Sequence, residues 1–236
     1  MSANSTVPIP RLNKLLSHLP TPEGERFVAS CERVELEFGQ VLATRGQPLS
    51  HAYFPTDSFV SMIATVEGGD LEVGMAGNEG MVGISLGLGI QDSGVRAIVQ
   101  GRGLALRMNA RTFHGELAKS TTLRRQMGRY AHIVMSQFAQ TAGCNRYHVV
   151  EQRLARWLLM TADRAHSESF DITHEFLATM LGVRRVGVTN AASELQSQEL
   201  IRYSRGHLRI LDRKGLERTA CSCYKADIAL YNRAWQ

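Results

Sequence analysis

The chain has 236 residues, enough for two ordinary domains, and carries 27 basic against 22 acidic side chains for a net charge of +5. Its four cysteines, Cys31, Cys144, Cys221 and Cys223, are too few and too scattered for a disulfide framework. No apolar run reaches membrane-spanning length and the N-terminal MSANSTVPIPRLNKLL lacks the apolar core of a secretion signal, so a soluble cytoplasmic protein is expected.

Taken in order, residues 1 to about 10 are polar, contain Pro8 and Pro10, and are expected to be a disordered tail. A short helix from Arg11 to Leu19 follows, and Thr21-Pro22-Glu23 opens another. From Glu32 to Met108 the chain is a series of short β-type runs separated by glycine: ERVELEFG, VLATRG, HAYFPT, FVSMIATVEGG, LEVGMAG, VRAIVQG and GLALRM. Strands this short and regular predict a sandwich or barrel. Within them, Gly77 to Ser85 reads GNEGMVGIS, a segment of the kind that lets backbone N–H groups approach an anion; the simpler reading is that its glycines only turn strands. There is no phosphate-loop motif with Gly-Lys-Ser or Gly-Lys-Thr, so nucleotide hydrolysis has no support in the sequence.

A long helix is predicted from Thr121 to Gly143, interrupted only by Gly128. Leu123, Met127, Tyr130, Val134, Gln137 and Thr141 recur at spacings of 4 and 3, the register of a two-stranded coiled-coil seam, and predict a parallel homodimer. The alternative is an ordinary helix packed on its own β-domain. A break is expected at Gly143-Cys144-Asn145, then a helix from Val149 to Arg164, and a last helix from Lys214 to about Leu230 that holds Cys221 and Cys223.

Between these lies the most informative stretch. Thr173 is a helix N-cap candidate, Phe176, Leu177, Met180 and Leu181 share one side of the following helix, and Gly182 ends it. A second helix begins near Arg184 with Val188, Ala191, Ala192 and Leu195 facing inward. Its other face then holds Val186, Thr189, Asn190 and Ser193, with Arg184 and Arg185 in the first turn. This is the surface a helix-turn-helix presents to the major groove, where Arg pairs with guanine, Asn with adenine and an apolar group meets the thymine methyl. IRYSRGHLRIL then predicts a β-hairpin over residues 201–211 turning at Arg205-Gly206, so the unit reads as a winged helix. From Arg184 to Arg218 eight basic residues face four acids, a surplus that suits phosphate contacts by Arg205 and Arg209.

A β-domain, a long helix and a C-terminal winged helix in this order resemble the CRP/FNR family of bacterial transcription regulators, over roughly residues 25–212. The specific parts are ITxxxLAxxLGV from Ile172 to Val183, the helix after it, LIxYxRG from Leu200 to Gly206, FGxVLxxRGxP from Phe38 to Pro48, and Tyr53-Phe54-Pro55. The resemblance implies an α+β fold: an N-terminal double-stranded β-helix (jelly-roll, cupin-like) barrel, a long dimerisation helix and a winged helix-turn-helix. The divisions are a tail and short helix at 1–20, an effector-sensing, cyclic-nucleotide-binding-like barrel at 21–118, dimerisation helix and hinge at 119–144, and the DNA-binding domain at 145–236. It also implies a DNA-binding homodimer on a near-palindromic operator, a contact with RNA polymerase if the protein activates, and no enzymatic activity. Thr173, Arg184, Arg185, Val186, Thr189, Asn190, Ser193, Arg205 and Arg209 become the expected DNA contacts. Relatives with the familiar half-site carry glutamate where Val186 stands, so a different sequence should be read.

The effector is not named by the residues. Relatives that bind cyclic AMP use a Gly-Glu pair and an Arg-Ser or Arg-Thr; here the matching positions are Gly83-Ile84 and the loop Gln91 to Gly94, which lack both the acid and the arginine. Glu79, Gly80, Gly83, Ile84 and Arg96 are the candidate lining of a small pocket. Cys31 stands alone in its region, so no iron–sulfur cluster is expected there. His51, His114 and His132 do not by themselves imply haem or a cupin-type metalloenzyme, and no metal site is expected. Cys221-x-Cys223 reads as packing residues before a metal half-site; Cys144, Cys221 and Cys223 as a redox switch is the alternative mode of regulation.

Overall fold

A computed structural model describes residues 13–235. The expected disordered tail lies outside the described residues, and of the expected helix from Arg11 only the part from Asn13 onward is inside them, as a 3-10 turn at Leu16–His18. Helix α1, Thr21–Ala29, follows with proline in its first turn, where the missing N–H removes no helical bond.

Each glycine-bounded run of the N-terminal half forms a strand: β1 Glu32–Leu36, β2 Val41–Ala43, β3 His51–Pro55, β4 Phe59–Val66, β5 Gly69–Ala76, β6 Arg96–Gly101 and β7 Gly103–Asn109. They make an antiparallel sandwich with one sheet ordered β1-β7-β3 and the other β2-β6-β4-β5. Glu32 pairs with Arg107 and His51 with Asn109 across the first sheet. Phe27, Phe54 and Phe113 pack edge-on or tilted with centroids 5.3–6.3 Å apart and form the aromatic part of this core. Between β5 and β6 sits the four-residue α2, Ile84–Gly87.

Helix α3, Ala110–Lys119, was not foreseen. It starts because the Asn109 side chain accepts from the Thr112 N–H at 2.9 Å, and it buries Phe113 and Leu117. The long helix α4, Thr121–Tyr147, starts at Ser120, whose Oγ accepts from the Leu123 N–H at 2.9 Å. It does not break at Gly143 as expected. Gly143 is tolerated inside a helix at about 1 kcal/mol, and the next residue, Cys144, is buried and holds the last turn in place. The bend comes instead at His148-Val149.

The C-terminal part contains α5 Val150–Ala165, β8 Ser169–Asp171, α6 His174–Leu181, α7 Arg185–Ser197, β9 Ile201–Ser204, β10 His207–Ile210, α8 Arg213–Thr219 and α9 Cys223–Ala234. The hairpin gains a third strand that the sequence did not reveal, giving the order β8-β10-β9. The single last helix expected over residues 214–230 is two. Asp212 caps α8 by accepting from the Gly215 N–H at 2.9 Å, and the chain turns at Ala220–Ser222, where the Cys221 N–H reaches the Gln152 carbonyl. Leu154, Leu158, Leu177, Val188, Leu195, Leu208 and Leu216 are fully buried and form the core of this part. Among the described residues, one compact unit takes 13–61 with Met75–His132 and the other takes Met62–Gly74 with 133–235. No helix among the described residues is long and apolar enough to cross a membrane.

Candidate nucleic-acid interface

Helix α6 is set by its ends. Thr173 Oγ1 accepts from the Phe176 N–H at 3.1 Å, and Gly182 closes the helix at φ 60°, ψ 42°, a left-handed conformation that suits glycine. Three residues later α7 begins, at Arg185. Val188, Ala191, Ala192 and Leu195 point into the core, and Arg184, Arg185, Val186, Thr189, Asn190 and Ser193 are all exposed on the other side. Val186 is 62% exposed, a large apolar group held in solvent at the first turn.

The wing turns at Arg205-Gly206, both at positive φ (51° and 85°), as a two-residue hairpin loop of the type that matches strand twist requires. Arg205 is therefore at the tip. Behind it Arg202 and Arg209 are directly opposed across β9 and β10, and both are exposed. Like charges in this arrangement repel, and among the described residues no acid pairs with either.

Two residues that sequence reasoning passed over join these elements. His174 stacks on Tyr203, and its Nδ1 lies 3.1 Å from the Thr189 hydroxyl, which also donates to the Arg185 carbonyl. Tyr203 donates from its hydroxyl to the Ile172 carbonyl at 2.7 Å. Partial burial, then the charge of Arg185, hold the His174 imidazole below its usual range, and burial raises the Tyr203 phenol. No local pattern signals this contact: His174 and Thr189 stand on different helices 15 positions apart, and Tyr203 lies 29 positions after His174.

The six residues expected to form a dimer seam, Leu123, Met127, Tyr130, Val134, Gln137 and Thr141, are between 0 and 7% exposed in a single chain. They are covered by the chain itself and are not available to a second copy. A helix with 3.6 residues per turn carries more than one stripe at 4-3 spacing, and a second one, Gly128, His132, Met135, Ala139 and Ala142, is exposed, Met135 at 69%.

The candidate pocket residues fall on a packed turn. Val82 pairs with Tyr53 through two backbone bonds of 2.8 and 3.1 Å, and Glu79 accepts from the Gly77 N–H. A Cβ on Gly80 would lie 2.2 Å from the Tyr130 hydroxyl, and one on Gly83 3.2 Å from the His51 carbonyl. Tyr130 in turn donates to the Met81 carbonyl at 3.0 Å. These glycines serve close packing of the turn on α4 and β3. Ile84 opens α2 and Arg96 opens β6.

Of the cysteines, Cys31 is a packed thiol that donates to the Phe27 carbonyl, its pKa pushed up to about 12 by burial. The other three converge with His148 so that one donor atom from each lies within 4.8 Å of the others, a cluster the sequence reading did not assemble. His51, His114 and His132 belong to no such group among the described residues.

Residues 152–219 match the Crp-like helix-turn-helix domain. No curated protein sequence matches the chain. Among solved structures, the chain is similar to a crp/fnr-family transcriptional regulator of Eubacterium rectale, with a TM-score of 0.69 and 18% identity over 88% of this chain and 98% of that one. FixK2 of Bradyrhizobium japonicum gives 0.68 and 11% over 81% and 98%. The c-di-GMP-responsive regulator CLP of Xanthomonas campestris gives 0.66 and 16% over 82% and 100%. The chain therefore has the fold of the CRP/FNR transcriptional regulators, with a Crp-like helix-turn-helix domain at residues 152–219.

Proposed function

We propose that the protein is a cytoplasmic, sequence-specific transcription regulator that binds a near-palindromic operator as a homodimer. The observation that carries this reading is α7 with its N-cap: one face sealed into the core, the other an exposed set of Arg184, Arg185, Val186, Thr189, Asn190 and Ser193, followed at once by a basic wing. Arg185, Val186 and Asn190 read base edges, Arg184 and Ser193 flank them, and Arg205 and Arg209 hold phosphates. Thr173 and Thr189 act chiefly by setting the two helices, since their side chains are engaged within the protein. Regulators of this fold act as dimers, and the exposed stripe from Gly128 to Ala142 on α4 is the face available for it. Two recognition helices related by a two-fold axis then enter major grooves about 34 Å apart.

The β-domain is the sensing end, and the turn carrying Glu79, Gly80, Gly83 and Ile84 is its link to α4 through Tyr130; Arg96 belongs to the same domain. The test is selection of bound duplexes from a random library, with the chain alone and with cyclic AMP, cyclic GMP or c-di-GMP. Enrichment of an inverted repeat in any arm supports the reading and identifies the gate; equal retention of all sequences in every arm overturns it.

A second reading, a thiol-switched regulator, is favoured by one distance: Cys144 Sγ lies 3.5 Å from Cys221 Sγ. Diamide would join them as a disulfide, taking two electrons and two protons. Operator affinity that changes with diamide in the native chain, and not after Cys144, Cys221 and Cys223 are all replaced by serine, supports it.

A further inference from the structure

The three clustered thiols do not sit in an apolar pocket. Cys144 and His148 are one helical turn apart at the end of α4, where the His148 N–H still bonds to the Cys144 carbonyl. Cys221 and Cys223 flank Ser222 at the corner between α8 and α9. Two segments more than seventy positions apart thus bring three Sγ atoms and an imidazole nitrogen to one point. The Cys144–Cys221 and Cys223–His148 Nδ1 separations are both 3.5 Å. Around them one carboxylate, Asp227, is within electrostatic reach of Cys144, and the other groups are donors and cations: Gln140 Nε2 donates to Cys223 Sγ at 2.8 Å, and the buried guanidiniums of Arg153 and Arg156 lie close enough to act on the thiols. Arg156 has Asp227 as its counter-ion at 2.7 Å. Arg153 donates to the Leu181 carbonyl and has no carboxylate partner among the described residues.

Thiols packed as small hydrophobes need none of this. Thiolates around a metal ion need all of it. Zinc holds sulfur at about 2.3 Å and imidazole nitrogen at about 2.0–2.1 Å in a tetrahedron, so its ligand atoms lie about 3.5–3.8 Å apart along the edges. The 3.5 Å contacts fall at the short end of that range within a group whose ligand atoms all lie within 4.8 Å of one another, and they are too long for a disulfide bond of about 2.05 Å. An iron–sulfur cluster distributes its cysteines over more than one iron, which a group confined within 4.8 Å does not allow. Three thiolates, a neutral imidazole and a divalent ion carry one net negative charge, the counter-charge that Arg153 lacks. Gln140 is the outer-shell donor that fixes a ligating sulfur.

We infer that Cys144, His148, Cys221 and Cys223 form a Cys3His site for a single zinc ion that clamps the end of α4 to the corner between α8 and α9. All four ligand positions are filled by protein, so the site is closed and structural. The His148-Val149 bend, where α4 gives way to the DNA-binding domain, is then fixed by a metal bond and not by helix continuity.

The test is elemental analysis of the full chain purified under reducing conditions, together with cobalt titration after chelation. The expected result is one zinc per chain, and on adding cobalt the intense visible absorption and near-ultraviolet charge-transfer band of a tetrahedral, thiolate-rich site. The Cys31→Ser variant should retain the metal, and Cys223→Ser should lose it. His148→Ala should keep the charge-transfer band with altered visible absorption. Because cysteine variants can misfold, the cobalt spectrum of the native chain decides the matter independently. Less than a tenth of an equivalent of metal together with only the weak absorption of octahedral cobalt overturns the inference; so does iron with acid-labile sulfide, or recovery of the reduced-buffer protein with a Cys144–Cys221 disulfide.

Discussion

The imidazole of His174 lies flat on the ring of Tyr203, with centroids 4.5 Å apart and planes inclined by 12°. The first residue of α6 is thereby joined to the wing, and through Thr189 to the recognition helix. Replacing His174 by alanine should lower stability by about 1 kcal/mol from the lost ring contact, with a larger loss in operator binding than in overall folding, as read by urea titration beside a gel-shift series.

The same residue sets a pH dependence. Its folded pKa lies below the unfolded 6.5, so the folded state takes up this proton later than the unfolded chain as pH falls. Its contribution is complete above about pH 6.5 and is lost as pH drops through the lowered value. Arg185 is the charged group facing it. Native protein should lose stability over that interval more steeply than His174→Gln; parallel curves would remove His174 as the cause.

Arg185→Ala should cost about 1–3 kcal/mol on the selected operator and relax one base-pair position, whereas Arg205→Ala should weaken all sequences alike and reduce the salt slope by about 1. Equal losses by Arg185→Ala on operator and random DNA would reassign it to phosphate contact.

Substitution on α4 separates its two stripes. Met135→Glu should leave a folded monomer in sedimentation, while Met127→Glu, at a fully buried site, should unfold the chain. A dimer that survives Met135→Glu would place the seam elsewhere.

Asp227 and Arg156 are a buried pair, 5% and 8% exposed. Asp227→Ala leaves the guanidinium uncompensated and should cost about 3–5 kcal/mol, while an Arg156→Met, Asp227→Leu double replacement should recover most of it. Chemical denaturation of the three chains checks this.

The recognition helix was legible because a single stripe, Val188 to Leu195, had one possible partner, and its outward residues followed by geometry. The wing was legible from Arg205-Gly206, a dipeptide that fits few backbone shapes. On α4 the periodicity was equally clear but ambiguous: Leu123 to Thr141 and Gly128 to Ala142 both repeat at 4-3 spacing, and only tertiary packing decides which is covered. The corner at Ala220–Ser222 carries neither proline nor glycine, so local signals gave one helix instead of two. The thiol cluster depends on Cys144 meeting Cys221 across 77 positions; its local traces are two half-sites, Cys144 with His148 four residues on and Cys221-x-Cys223, and neither names the other as its partner.

The opposed Arg202 and Arg209 give the wing a property of its own. A hairpin with matched positive charges on one rung should be stabilised from outside the chain by an anion that settles between them. Folding of the wing and anion binding there should be thermodynamically linked: inorganic polyanions should raise the temperature at which this hairpin frays, and duplex DNA held at the wing should complete the charge balance of the strand pair as it binds.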